Sequence, residues 1–144
     1  MVERVLVPVD GSEPSDHACE FVFEEFPDAT MVLLHVINPA EAGYTAQRAL
    51  PAASEEWYDR QQDRAEEHLD EIEARAIEHG VDTERVIETG KPARCIVSIA
   101  EDEGVNVDHV VMGSHGREGV SRVLLGSVAE TIVRRSPVPV TVVR

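Results

Sequence analysis

Lysine occurs once in this 144-residue chain, at Lys91, and only 13 Lys plus Arg stand against 28 Asp plus Glu, for a formal net charge of −15. So few cations exclude a surface that follows a nucleic acid backbone or an anionic membrane. Cysteine is equally scarce. Cys19 and Cys95 form no C-x-x-C pair, which excludes a disulfide framework or a cysteine zinc site and points to packing roles in a reduced compartment. None of the six histidines has a partner at metal-ligand spacing. No apolar run approaches membrane-spanning length, and MVERVLVPVD opens the chain without a basic, apolar leader. The expectation is a cytoplasmic protein. Its many acids and near absence of lysine suit a halophilic, highly saline cytoplasm, where screening cuts self-repulsion to a few ångström.

What is present alternates between strand and helix signals. RVLVPV at 4–9 and MVLLHVI at 31–37 are short apolar runs closed by turn residues, and TERVIE at 83–88 has the mixed polarity of a sheet edge. Helical spacing follows Pro14, again from Ser54 to a stop at Gly80, and again from Lys91-Pro92 to Gly104. A fourth strand at 107–112, a helix at 127–136 and a valine-rich closing strand complete the chain. Residues 39–53, rich in Ala, Pro and Gly, read as a long loop, a candidate lid or contact surface. Regular alternation implies parallel strands joined by right-handed crossovers, hence one α/β domain over residues 1–144, a doubly wound sheet with helices on both faces.

The segment GSHGREGVSRVLLGS after the fourth strand carries the chemistry. Gly113, Gly116 and Gly126-Ser127 have the spacing G-x2-G-x9-G-S. Glycines there let backbone approach an anion and adopt positive φ, while the following helix offers its positive end. A P-loop is excluded because no lysine precedes Ser127, and a dinucleotide fingerprint would follow the first strand. A cradle of backbone N–H groups remains, with Arg117 and Arg122 able to offset the negative field. Ser127-Val128-Ala129-Glu130 also fits a capping box, with Ser127 as the cap. Asp10 ends the first strand, where ligands sit at the switch point of an open sheet. It is placed to accept from ribose hydroxyls or to hold a divalent cation shared with phosphates, or else to close an Asx turn before Gly11. His115 contributes backbone more than ring, and Ser114 lacks the elbow of a nucleophile.

VLVPVDGS, LLHVIN, the glycine motif and PVPVTVVR, in this order and spacing, resemble the universal stress protein family over essentially the whole chain. The resemblance implies a Rossmann-like open sheet of five parallel strands in the order 3-2-1-4-5, a homodimer through the last strand, and ATP as ligand. Matched position by position, Pro8, Val9 and Asp10 border the adenosine, and the backbone of Val36 reads the adenine edge. Met112, Gly113, His115, Gly116, Gly126, Ser127 and Val128 surround ribose and triphosphate. Ala129 departs from the family, standing where some ATP-binding members carry a hydroxyl.

The closing strand argues for the dimer independently. Pro139 confines it to an edge or a strand start, yet residues 138–143 are too apolar to stay bare; pairing with a second copy would cover them, and a loop of the same chain is the alternative. The resemblance together with the glycine motif implies an adenine-nucleotide-binding stress-response module, with ATP and magnesium as expected cofactors and at most slow hydrolysis. A magnesium-dependent ATPase or phosphotransferase is the enzymatic alternative, and a nucleotide-free dimeric scaffold the third. Phosphoryl transfer needs positioned cations and a base, and the motif supplies one carboxylate and no lysine.

Overall fold

Strand β1 (Arg4–Pro8) lies at the centre of a parallel sheet whose other strands are β2 (Thr30–Ile37), β3 (Thr83–Thr89), β4 (His109–Gly113) and β5 (Val140–Val143). Their order is β3-β2-β1-β4-β5. The structure is a computed structural model and describes residues 1–45, 54–116 and 125–144. Helices α1 (Glu13–Glu25), α2 (Pro39–Thr45), α3 (Glu55–Glu78), α4 (Pro92–Glu101) and α5 (Ser127–Arg135) fill the connections. Among the described residues no helix is long and apolar enough to cross a membrane.

Side chains alternate along the central strands and split the core in two. Val5, Val7, Met31, Leu33 and Val111 pack against Ala18 and Val22 of α1 and Leu69 and Ile72 of α3. Leu6, Val32, Leu34, Val110 and Met112 point the other way, onto Ile96 and Ile99 of α4 and Ala129 and Ile132 of α5. Burial on both faces is why these strands read as unbroken apolar runs. At the edge, β3 has no fully buried residue, and Glu84, Arg85, Glu88 and Thr89 are exposed, in keeping with its mixed polarity.

Local chemistry sets the helix limits. The Ser12 hydroxyl accepts from Ser15 N–H at the start of α1, and Ser54 accepts from Trp57 N–H at the start of α3. At the end of α3, Gly80 takes φ +71° while Val81 N–H donates to Ala76 and Gly80 N–H to Ile77, a complete Schellman motif. Residues 39–53 are not loop throughout. Asn38 Oδ1 accepts from Ala40 N–H and Pro39 opens α2, which runs to Thr45; residues 46–53 lie outside the described residues. Cys19 is fully buried, and desolvation pushes its thiol up to about 12, so it acts as a small apolar group.

His109 ties β4 to β5 through a 2.8 Å contact between its Nε2 and Thr141 Oγ1, and its ring lies 5.3 Å from that of Phe26. Burial lowers its pKa from 6.5, against a smaller raising effect of Asp108. The unfolded chain therefore takes up the His109 proton first. This contribution to stability is present above pH 6.5 and lost as pH falls through that value toward the lower folded pKa. Unfolding midpoints measured between pH 7.5 and pH 5.5 are expected to fall less steeply in His109→Gln than in the wild type. Parallel slopes would dismiss the assignment.

Candidate functional site

The crevice opens where β1 and β4 end. Chain order reverses between these two strands, because β1 connects onward to β2 on one side while β4 connects to β5 on the other. Ligands in open parallel sheets sit at this switch point.

Two serines shape the first wall. Ser12 N–H donates to Asp10 Oδ1 at 2.9 Å, and Asp10 N–H donates to Ser15 Oγ at 3.2 Å. The Asx turn is thus real, and Ser12 caps the helix while Asp10 does not. The other carboxylate oxygen still faces the glycine motif: a Cβ built on Gly116 would lie 2.9 Å from Asp10 Oδ2. Asp10 thus closes the Asx turn with one oxygen and lies beside Gly116 with the other. Ser12 and Ser15 carry this arrangement and are themselves buried. Sequence reasoning passed over them, although D-G-S-x-x-S is legible as two successive side-chain turns.

The second wall is the glycine motif. Gly126 N–H donates to Ser114 carbonyl at 2.7 Å, and Ser114 N–H to Val143 carbonyl at 2.7 Å, so the start of α5 is clasped to the ends of β4 and β5. Glycine is needed for closeness, not for handedness. A Cβ on Gly126 would sit 3.2 Å from Ser114 O, and one on Gly113 only 2.7 Å from the Pro14 carbonyl carbon. The expected positive φ is absent at Gly113, Gly116 and Gly126; among the described residues Gly11, Gly80 and Gly90 have it. Arg117 and Arg122 lie outside the described residues. The His115 ring packs beside Gly126 and its Nδ1 lies 3.0 Å from Ser114 Oγ, so ring as well as backbone forms the wall. Ser114 is buried, which fits its lack of nucleophile geometry.

The capping box expected at Ser127 does not form. Gly126 occupies the cap position with φ −69° and ψ 164°, and as a glycine it has no side chain to cap α5. Ser127 is the first helical residue. Glu130 pairs with Arg134 at 2.8 Å instead of reaching back. The positive end of α5 thus lies beside Ser114, at the carboxyl end of β4.

Val36 completes the enclosure through its backbone. Leu34 carbonyl accepts from Val9 N–H, and in a strand the polar groups two residues on face the same side. β1 has ended there, since its last paired residue, Pro8, lies opposite Leu34. The Val36 N–H and C=O thus face the crevice. Of the expected residues the fold brings Asp10 beside Gly116, and Gly126 beside His115, with Ser127 next to it at the start of α5; Pro8 ends β1, Gly113 abuts Pro14, and the Val9 side chain is buried in the α1–α3 face of the core. Met112 is buried in the α4–α5 face of the core and Val128 packs against the same cluster, so of these two residues only the backbone is near the cradle. Among the described residues no group of three His, Cys, Asp or Glu is placed to hold a metal ion.

The sequence model of the universal stress protein family matches residues 1–144. The chain belongs to the universal stress protein family. Universal stress protein MJ0577 of Methanocaldococcus jannaschii is 31% identical over 159 aligned positions, covering 100% of this chain and 96% of its own. Its solved structure superposes with a TM-score of 0.83 at 32% identity, covering 99% and 96% of the two chains. A universal stress protein solved in complex with cAMP superposes with a TM-score of 0.64 at 25% identity, over 99% of this chain and 97% of that one. The strand order expected from the family resemblance is the order observed.

Proposed function

We propose that this universal stress protein is a regulatory module that binds an adenine nucleotide, with ATP as its ligand, in the crevice between β1 and β4. The start of α5 carries the reading: its cap is a glycine, with no side chain of its own to accept from the first N–H groups, and such a helix end is suited to phosphate. Gly116 and Gly126 keep the approach clear, Asp10 faces ribose or a phosphate-bound cation, and the Val36 backbone meets the base. The relative in complex with cAMP supports an adenine nucleotide here. Magnesium fits as an ion held chiefly by the phosphates, with Asp10 as its one protein carboxylate, the usual mode of nucleotide-bound magnesium. Turnover above a very slow rate is not expected, because the motif brings no lysine to the phosphates and buries Ser114.

Thermal-shift titration with ATP, AMP and GTP, with and without magnesium, tests this directly. At ligand ~100 times its dissociation constant the gain is ~2.7 kcal/mol, which raises Tm by roughly 5–10 °C for a domain of this size. A flat response to every adenine nucleotide would refute the proposal.

The same module is proposed to act as a homodimer through β5. This strand is a sheet edge, and Val140, Val142 and Val143 are only half-buried in the isolated chain. Two-fold pairing with a second copy would satisfy the exposed ladder and cover these valines. Sedimentation equilibrium is expected to give twice 15.9 kDa at micromolar concentration. A monomer mass under those conditions would remove the dimer.

A further inference from the structure

We infer that the groove between α4 and α5 is a docking surface for a short acidic, amphipathic segment of a partner protein. Both helices start at the C-terminal edge of the sheet and descend side by side on one face, leaving a groove of about 340 Å³ between them. Its α4 side is a helix of ten residues, ~15 Å or about three turns. Ala93 and Val97 lie along it half-buried against the core, and Ser98 and Thr131 add hydroxyls.

Charge identifies the occupant. Lys91, Arg94 and Arg135 line this groove, all exposed, and none has a carboxylate within ion-pair distance among the described residues. Arg4, Arg75, Arg85 and Arg134 are each paired, whereas Arg60 and Arg64, exposed on α3 and not among the groove residues, also have no carboxylate partner among the described residues. In a chain with 28 acids, three unpaired cations around one apolar-floored groove leave a local positive field available to an outside carboxylate. One lining residue, Glu101, is acidic. The net charge of −15 disfavours long polyanions such as nucleic acid, so the fit is to a short segment with apolar anchors at helical spacing and carboxylates flanking them. Nothing in this surface depends on nucleotide binding.

The probe is a fluorescein-labelled synthetic helix of about four turns, with leucines on one face and glutamates elsewhere, titrated by fluorescence anisotropy against the nucleotide-free full chain. Saturable binding is expected, weakened about tenfold in Arg94→Glu/Arg135→Glu. These side chains are exposed and unpaired, so the variant should keep the wild-type Tm, and a melting curve verifies that it is folded. As a second readout, Val97→Asp should weaken the same peptide, whereas a peptide with glutamine in place of glutamate should bind poorly to the wild type. Equal binding of the glutamate peptide by wild type and charge-reversed chain would overturn the inference, as would no binding by either. So would a change in sedimenting mass on charge reversal, which would assign the groove to a second copy of this chain.

Discussion

Gly113→Val is expected to cost about 3–5 kcal/mol, well above the usual penalty for an overpacked site. A Cβ there would lie 2.7 Å from the Pro14 carbonyl carbon, 2.8 Å from Pro14 Cβ and 2.9 Å from Ser15 N, all far inside contact distance. Neither side has room to retreat. Gly113 is in register with Val143, and the next residue, Ser114, donates to the Val143 carbonyl. On the other side Pro14 is fixed in the first turn of α1, and Ser15 N–H is held by Ser12 Oγ. Relief requires α1 to lift, which draws Ala18 and Val22 off the sheet and opens the Asp10 turn. Urea denaturation measures the loss as a fall in midpoint at unchanged m-value. Gly126→Ala, where the nearest atoms are 3.2 and 3.3 Å away, should lose only about 1–2 kcal/mol. If Gly113→Val stayed within ~1 kcal/mol of the wild type, the seating of α1 on β4 would be wrong.

That seating also explains what the sequence could and could not convey. Apolar runs bounded by turn residues located β1, β2 and β4 to within a few residues, because strands buried on both faces leave no other pattern, while mixed polarity marked β3 as an edge. Ser54 and Gly80 marked the ends of α3 through chemistry local to each end. Misreadings arose where a local signal had two physical uses. Asn38-Pro39 reads as a strand stop, yet asparagine followed by proline is equally a cap and first helical residue, and α2 uses it so. Ser127 through Glu130 satisfies the capping pattern, but the clasp from Gly126 to Ser114 places the cap one residue earlier. Gly113 also sits against Pro14 of α1, a close approach that glycine spacing alone does not convey. The convergence of Asp10 and Gly116 depends on β1 lying beside β4, a contact about a hundred residues apart that no local pattern encodes.

Ser127→Pro should abolish measurable ATP binding while leaving the fold intact. Ser127 is the first residue of α5, where proline is favoured because that N–H has no intrahelical partner. The preceding residue suits it as well: Gly126 is extended, at φ −69° and ψ 164°, the region a residue before proline adopts. The Ser127 carbonyl still accepts from Thr131 Oγ1, and Glu130 N–H from the next turn still reaches Gly126. Unliganded stability should therefore hold or rise by a few tenths of a kcal/mol, up to ~1. Binding loses two donors, the backbone N–H and the hydroxyl. Hydrogen bonds to charged acceptors contribute ~1.5–3 kcal/mol each, so affinity should drop by about 10²–10⁴. Ser127→Ala removes the hydroxyl alone and should cost about one to two powers of ten, by the same scale. Isothermal titration of the two variants thus separates backbone from side chain. An alanine variant as defective as the proline variant would make the hydroxyl the main contact, and a proline variant that bound ATP like the wild type would move the phosphates away from the start of α5.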